Sequence, residues 1–213
     1  GTTTFDGVQT VVGSQGVPTP FSGSVSDPGS DDVTVTWAYG DALSDSATNL
    51  VNPPATDPAV SPSIQPRSFT SSVTHAYARP CLYTATMSAV DDDGGAATPD
   101  TVTVVVVAAP HRWESNGFWK NNYGGNRPTI AAEDLACHLR LVSHTRCVSG
   151  TDDPVALGST LDARTILFKN TGTSAELFDR DLLVAWLNVA NGALPLTTEV
   201  DVTGDGVLDG TVA

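Results

Sequence analysis

Lysine is almost missing from this chain. Lys120 and Lys169 are the only two, glutamate stands only at Glu114, Glu133, Glu176 and Glu199, and 10 bases face 24 acids for a formal charge of −14. Binding to nucleic acid or to an anionic bilayer needs clustered positive charge, so this balance argues against both partners. It fits a soluble surface, a cation-binding surface or a high-salt habitat. No apolar run is long enough to cross a bilayer, and the run from Thr101 to Ala109 has the length of a strand. There is no Asn-X-Ser/Thr sequon, so N-glycosylation of that type is not expected. The chain starts at Gly1 without Met or a signal peptide, and it reads as a processed or excised piece of something longer.

Motifs for bond-breaking chemistry are missing as well. No Gly-X-Ser-X-Gly elbow or other nucleophile motif occurs. His138 and His144 are six apart, which does not place them on one helical face, and no Cys/His pair follows them, so zinc is not expected. Paired acids for glycoside cleavage would need a cleft that sequence cannot show. The chain is expected not to be an enzyme.

Cysteine is scarce: Cys81, Cys137 and Cys147. Cys137 and Cys147 flank a helix end, and in a secreted protein the expectation is a disulfide between them, with two buried thiols as the alternative. Cys81 is then left over, as a free thiol or an intermolecular link.

What is present is a strong strand. In Asp32 to Asp41, Val33, Val35 and Trp37 alternate with Thr34, Thr36 and Ala38, the period of a strand with one buried face. Gly40-Asp41 closes it with turn chemistry. Partner strands follow at Leu82 to Val90 and Thr101 to Val107. Before it, Thr3 to Val12 alternates loosely, and Pro18 and Pro20 suit an edge position.

These segments carry a resemblance. Phe21-Ser22-Gly23-Ser24-Val25-Ser26-Asp27-Pro28-Gly29, Trp37-Ala38-Tyr39-Gly40-Asp41, His75-Ala76-Tyr77, Tyr83-Thr84-Ala85-Thr86 and the run Asp91 to Gly95 together resemble a PKD domain over about residues 5–108. Ala42 stands where the family phrase aromatic-X-aromatic-Gly-Asp-Gly has its last glycine, and Cys81 stands in the usual Pro-Gly-Thr-Tyr turn. The resemblance implies an immunoglobulin-like β-sandwich of extracellular and cell-surface proteins, and no chemistry. The turn Ser26 to Asp32 carries clustered carboxylates. Asp27, Asp31 and Asp32, helped by Asp91 or Asp93 from another loop, form a possible calcium site, since Ca²⁺ takes oxygen ligands. The same residues also serve as plain turn chemistry. Ala42 to Ser68, rich in Ser, Asn, Asp and Pro, reads as a long loop and a first place to look for a partner contact.

Near Pro110 strand alternation stops and helical spacing begins, which predicts two domains, 1–109 and 110–213. The fold class is mainly β plus α: a sandwich, then a small helical module. Gly117-Phe118-Trp119-Lys120-Asn121 and the later Leu182 to Ala193 are similar to a signature near the ends of bacterial and archaeal secreted proteins, where His is usual at the position of Asn122. That resemblance implies location more than function. Trp113, Trp119 and Tyr123 could stack on a glycan, or could seed a small core. Helices are predicted from Thr129 to about Val142, from Ser159 or Thr160, and from the capping box Thr173-Ser174-Ala175-Glu176, the last with Phe178, Leu182, Ala185, Trp186 and Val189 on one face. Asn191-Gly192 ends it.

The final acidic segment resembles the EF-hand-type loop of dockerins. Asp201, Thr203 and Asp205 supply side-chain oxygens, Val207 a carbonyl and Asp209 a carboxylate, with Gly206 at the sharp turn. Val212 replaces the usual closing acid. An acidic tail with Gly turns is the plainer alternative. The expectation is a secreted or cell-surface, calcium-stabilised, non-catalytic structural or adhesive module of a larger surface protein, filament or layer. Its partners would be copies of itself or neighbouring surface domains. The alternative is an accessory glycan-binding module of a secreted polysaccharide-degrading or proteolytic enzyme.

Overall fold

The computed structural model describes residues 2–5, 8–29, 31–54, 66–146, 159–194, 199–200, 207 and 210–211. Strands come first: β1 (Thr2–Phe5), β2 (Val8–Ser14), β3 (Thr19–Asp27), β4 (Val33–Ala38), β5 (Ser44–Asn49), β6 (Arg67–His75), β7 (Cys81–Asp91) and β8 (Asp100–Val107). Then come α1 (Asn116–Gly124), α2 (Ala132–Arg146), α3 (Thr160–Leu167) and α4 (Ser174–Ala190), followed by β9 (Glu199–Val200) and β10 (Gly210–Thr211). One sheet has the order β1-β2-β8-β7-β4-β5, and β3 pairs separately with β6.

The chain falls into two compact units. One is residues 17–76 and 83–104; the other is residues 1–16, 77–82 and 105–213. The change from strand to helix lies between Val107 and Asn116. Compactness divides the chain differently, because the first sixteen residues and 77–82 cluster with the helices.

The first unit is a β-sandwich. Alternation along β4 buries Val33, Val35 and Trp37, and β3 buries Phe21 and Val25. The Phe21 ring centre lies 5.9 Å from that of Trp37 and 5.6 Å from that of Tyr39, and Trp37 Nε1 donates to Ser71 Oγ at 2.9 Å. Gly23 has no Cβ, and one placed there would run into Met87. Truncating a buried ring such as Trp37 to Ala costs about 3–5 kcal/mol.

The segment Ala42 to Ser68 is not all loop. Ser44–Asn49 forms β5, antiparallel to β4 from Ala38↔Ser44 to Val33↔Asn49, and Arg67 opens β6. Residues 55–65 lie outside the described residues. Ser-Asp-Ser-Ala-Thr-Asn has no apolar alternation because this strand ends the sheet order and stays almost wholly exposed. Hydroxyl pairs hold it: Thr34–Thr48 at 2.9 Å and Thr36–Ser46 at 3.0 Å.

The second unit has a helical core that includes Val105, Val107, Trp119, Tyr123, Leu135, Leu139, Leu167, Leu183 and Leu187. Ser159 caps α3, and the Thr173–Glu176 capping box opens α4, with Thr173 N donating to Glu176 Oε2 at 2.9 Å and Glu176 N to Thr173 Oγ1 at 3.3 Å. Asn191 caps α4 and Gly192 follows at φ 73°. The buried face of α4 differs from the expected one. Leu183, Val184, Leu187 and Asn188 turn inward, while Phe178 is 65% exposed. Asn188 sets this phase: its Oδ1 accepts from Glu114 N at 2.6 Å, and its Nδ2 donates to Glu114 O at 2.9 Å and Val184 O at 2.8 Å. A buried amide is retained only where its hydrogen bonds are met.

The expected Cys137–Cys147 disulfide is replaced. Cys137 is bonded to Cys81, S–S 2.03 Å, closing a sequence separation of 56. The two Cα atoms stand 4.6 Å apart, within disulfide reach. Cys147 lies outside the described residues.

Candidate metal centre

The end of β3 and the end of β7 bring three carboxylates together. One oxygen each from Asp27, Asp31 and Asp91 lie within 4.8 Å of one another. Two ligands of one Ca²⁺, each at about 2.3–2.6 Å, stand at most about 5 Å apart, so one ion fits this spacing. The backbone holds the acids in place. Asp27 Oδ1 accepts from Gly29 N at 3.1 Å and its Oδ2 from Asp31 N at 3.4 Å, while Asp91 Oδ1 accepts from Gly95 N at 2.6 Å. Asp31 folds back over Gly29 and Asp91 over Gly95, and a Cβ at either glycine would meet the carboxylate. The acids line a cleft of about 510 Å³ whose other walls include Val25, Val33 and Ala89.

Desolvation raises the pKa of Asp31, and the charges of Asp27, Asp93, Asp91 and Asp92 raise it further. Like charges held together are relieved by a proton or by a cation. Three carboxylates are hard oxygen donors of the kind Ca²⁺ takes, and offer nothing to a soft metal.

The other two acids proposed from sequence are placed differently. Asp32 is buried and its Oδ1 accepts from Val51 N at 2.8 Å, so it ties down the chain after β5. Asp93 is exposed, outside the trio but close enough to act on Asp31. Of the C-terminal loop, Asp201, Thr203, Asp205 and Asp209 lie outside the described residues, and Val207 is exposed. On either side of this loop, Gly210 pairs with Val200 and Thr211 with Glu199, antiparallel, which sets its two ends side by side.

The glycan platform is not formed. Trp119 is fully buried and Tyr123 is 7% exposed with its hydroxyl donating to Leu135 O at 3.0 Å, so neither ring can meet a sugar; only Trp113 is on the surface. Trp119 and Tyr123 belong to α1, a helix the sequence reading missed, capped by Ser115 Oγ accepting from Phe118 N, and Trp113 precedes it. Its Trp119 side is the seed of the helical core. Asn122, where the signature usually has His, accepts from Thr129 N at 2.8 Å and Ile130 N at 2.9 Å, pinning the connection to α2.

The Gly-Asp turn and the aromatic strand before it are joined to β6. His75 Nε2 lies 2.7 Å from Asp41 Oδ2, and its ring stacks on Tyr39 at 3.9 Å and 3°. Tyr39 hydroxyl donates to Asp45 Oδ2 at 2.7 Å. Residues 4–106 match the family model of the PKD domain. This part of the chain is a PKD domain. Its fold is immunoglobulin-like, and the trio of acids sits at the ends of β3 and β7 and in the turn after β3. Two solved structures are similar. One is the PKD domain of an M14-like peptidase from Thermoplasmatales archaeon SCGC AB-540-F20, at 18% identity and TM-score 0.31 over 46% of this chain and 86% of that one. The other comprises fibronectin(III)-like modules of CbhA from Clostridium thermocellum, at 17% identity and TM-score 0.30 over 51% and 97%. No curated protein matches the sequence. No described helix is long and apolar enough to cross a membrane.

Proposed function

We propose that the chain is an extracellular structural or adhesive module of a larger surface protein, stiffened by calcium, and that it breaks no bond itself. The observation that carries this reading is the convergence of Asp27, Asp31 and Asp91 where β3 and β7 of a PKD domain end. A divalent ion there would tie the turn after β3 to the end of β7. That would lock one end of the sandwich and let the module bear load or present a fixed face. The loop 201–209, with side-chain oxygens at Asp201, Thr203, Asp205 and Asp209, would supply a second calcium site in the other unit. Its flanking strand pair supports that reading by holding the loop ends together.

Isothermal titration of the chain with calcium, beside Asp27→Asn, Asp91→Asn and Asp205→Asn variants, tests this. The reading expects one binding event lost in the Asp27 and Asp91 variants and a separate one lost in the Asp205 variant. No heat of binding at millimolar calcium in the wild-type chain would overturn it.

A further inference from the structure

Lys120 of α1 and Arg164 of α3 converge on one ring. Lys120 Nζ lies 5.8 Å and Arg164 Cζ 5.6 Å from the centroid of Phe168, which is 42% exposed just past the end of α3. Lys120 Nζ also donates to Asn170 Oδ1 at 2.6 Å. Arg164 lies against Gly124 at the end of α1, where a Cβ would come within 2.8 Å of its Nε, so the missing side chain makes room for the guanidinium. In a chain with 24 acids, Arg79, Arg112, Lys169 and Arg180 each meet a carboxylate. Among the described residues, Lys120 and Arg164 meet none, nor do Arg67, Arg127 and Arg140, but of these five only Lys120 and Arg164 share one ring. Two like charges held over one ring with no counter-charge make a site complementary to an anion.

We propose that Lys120, Arg164 and Phe168 form a docking point for an acidic peptide segment of a neighbouring protein chain. Carboxylates are the groups both cations bind best, and the guanidinium can take one through two parallel hydrogen bonds. A peptide is favoured over an acidic polysaccharide because the cations already lie over the Phe168 ring, whose face a sugar would need for stacking. The net charge of −14 repels such a partner at long range, but the screening length at physiological ionic strength is about 8 Å, so the short-range contact survives. The inference rests on the reading above only in taking a protein as the partner.

Fluorescence anisotropy with a labelled oligo-aspartate peptide tests it, in buffer stripped of divalent ions so that calcium cannot bridge two acidic groups. Wild-type chain is expected to bind. The Lys120→Gln/Arg164→Gln variant should bind at least about fivefold more weakly, with an unchanged melting temperature, and a neutral glycine–serine peptide should not bind. If the double variant does not fold, the single Lys120→Gln variant carries the same comparison. Equal affinity for wild type and variant would overturn the proposal. So would binding of an oligogalacturonate with none of the oligo-aspartate. Neither result would touch the calcium titration, so the two readings fail separately.

Discussion

His75 and Asp41 are 34 positions apart in sequence and 2.7 Å apart in space. Both are largely buried, with side chains 10% and 14% exposed. The contact joins the Gly-Asp turn after β4 to the last residue of β6, so it locks two motif segments that sequence places far apart. A double-mutant cycle with Asp41→Asn and His75→Gln should give a coupling of about 1–3 kcal/mol in denaturant melts. A coupling near zero would show that the pair contributes only packing.

Ala42 sits at φ 71°, in the left-handed region. It occupies the place where PKD-like sequences usually have glycine. An L-residue there costs about 1–2 kcal/mol, and glycine returns part of that through the entropy of the unfolded chain. Ala42→Gly should therefore raise stability by up to about 1 kcal/mol in urea melts. A loss of stability would contradict the strain. At Gly40, φ 82°, the reverse holds: a Cβ would lie 2.6 Å from Thr84 O, so Gly40→Ala should destabilise by more than 1 kcal/mol, roughly.

His138 is 2% exposed, packs edge-on to Trp119 at 6.0 Å, and neither ring nitrogen has a hydrogen-bond partner. Burial pushes its pKa down from 6.5 to about 4, against the opposing pull of Asp134. The folded state therefore holds this imidazole neutral where the unfolded chain would protonate it. Stability is complete above pH 6.5 and is lost as the pH falls through about 4, by about 3 kcal/mol in all. His138→Leu should flatten that acid limb in melts across the range. An unchanged limb would assign the acid sensitivity elsewhere.

The bond between Cys81 and Cys137 closes a loop long enough to constrain the unfolded chain by about 4 kcal/mol. Peptide mapping without reduction should join the Cys81 and Cys137 peptides. The Cys81→Ser/Cys137→Ser variant should lose about 2–4 kcal/mol. A Cys137–Cys147 peptide would contradict the structure.

Sequence pattern showed the sandwich because β4 alternates buried and more open positions and the turn after it uses Gly and Asp. The capping box of α4 was equally plain, since Thr173 and Glu176 act within one turn. The face of α4 was not. Leu182 to Ala190 is apolar almost throughout, so several stripes fit, and only the tertiary bond of Asn188 to Glu114 selects one. β5 was hidden because an exposed edge strand needs no apolar residues. The disulfide was misread for a related reason. Nearness in sequence favoured Cys147, while the fold brings Cys81, at the start of β7, against α2. At the candidate metal site, turn chemistry singled out a group of acids but not which of them converge. Asp32 was indistinguishable from Asp31 until its hydrogen bond with Val51 turned it inward.

Thermal unfolding of the whole chain in calcium and in chelator addresses the central claim most directly. The account predicts that calcium raises the melting temperature of the wild-type chain by several degrees. It also predicts that Asp27→Asn and Asp91→Asn, which remove ligands from the sandwich end, abolish the part of that rise that belongs to the sandwich. Superimposable melts with and without calcium would contradict it.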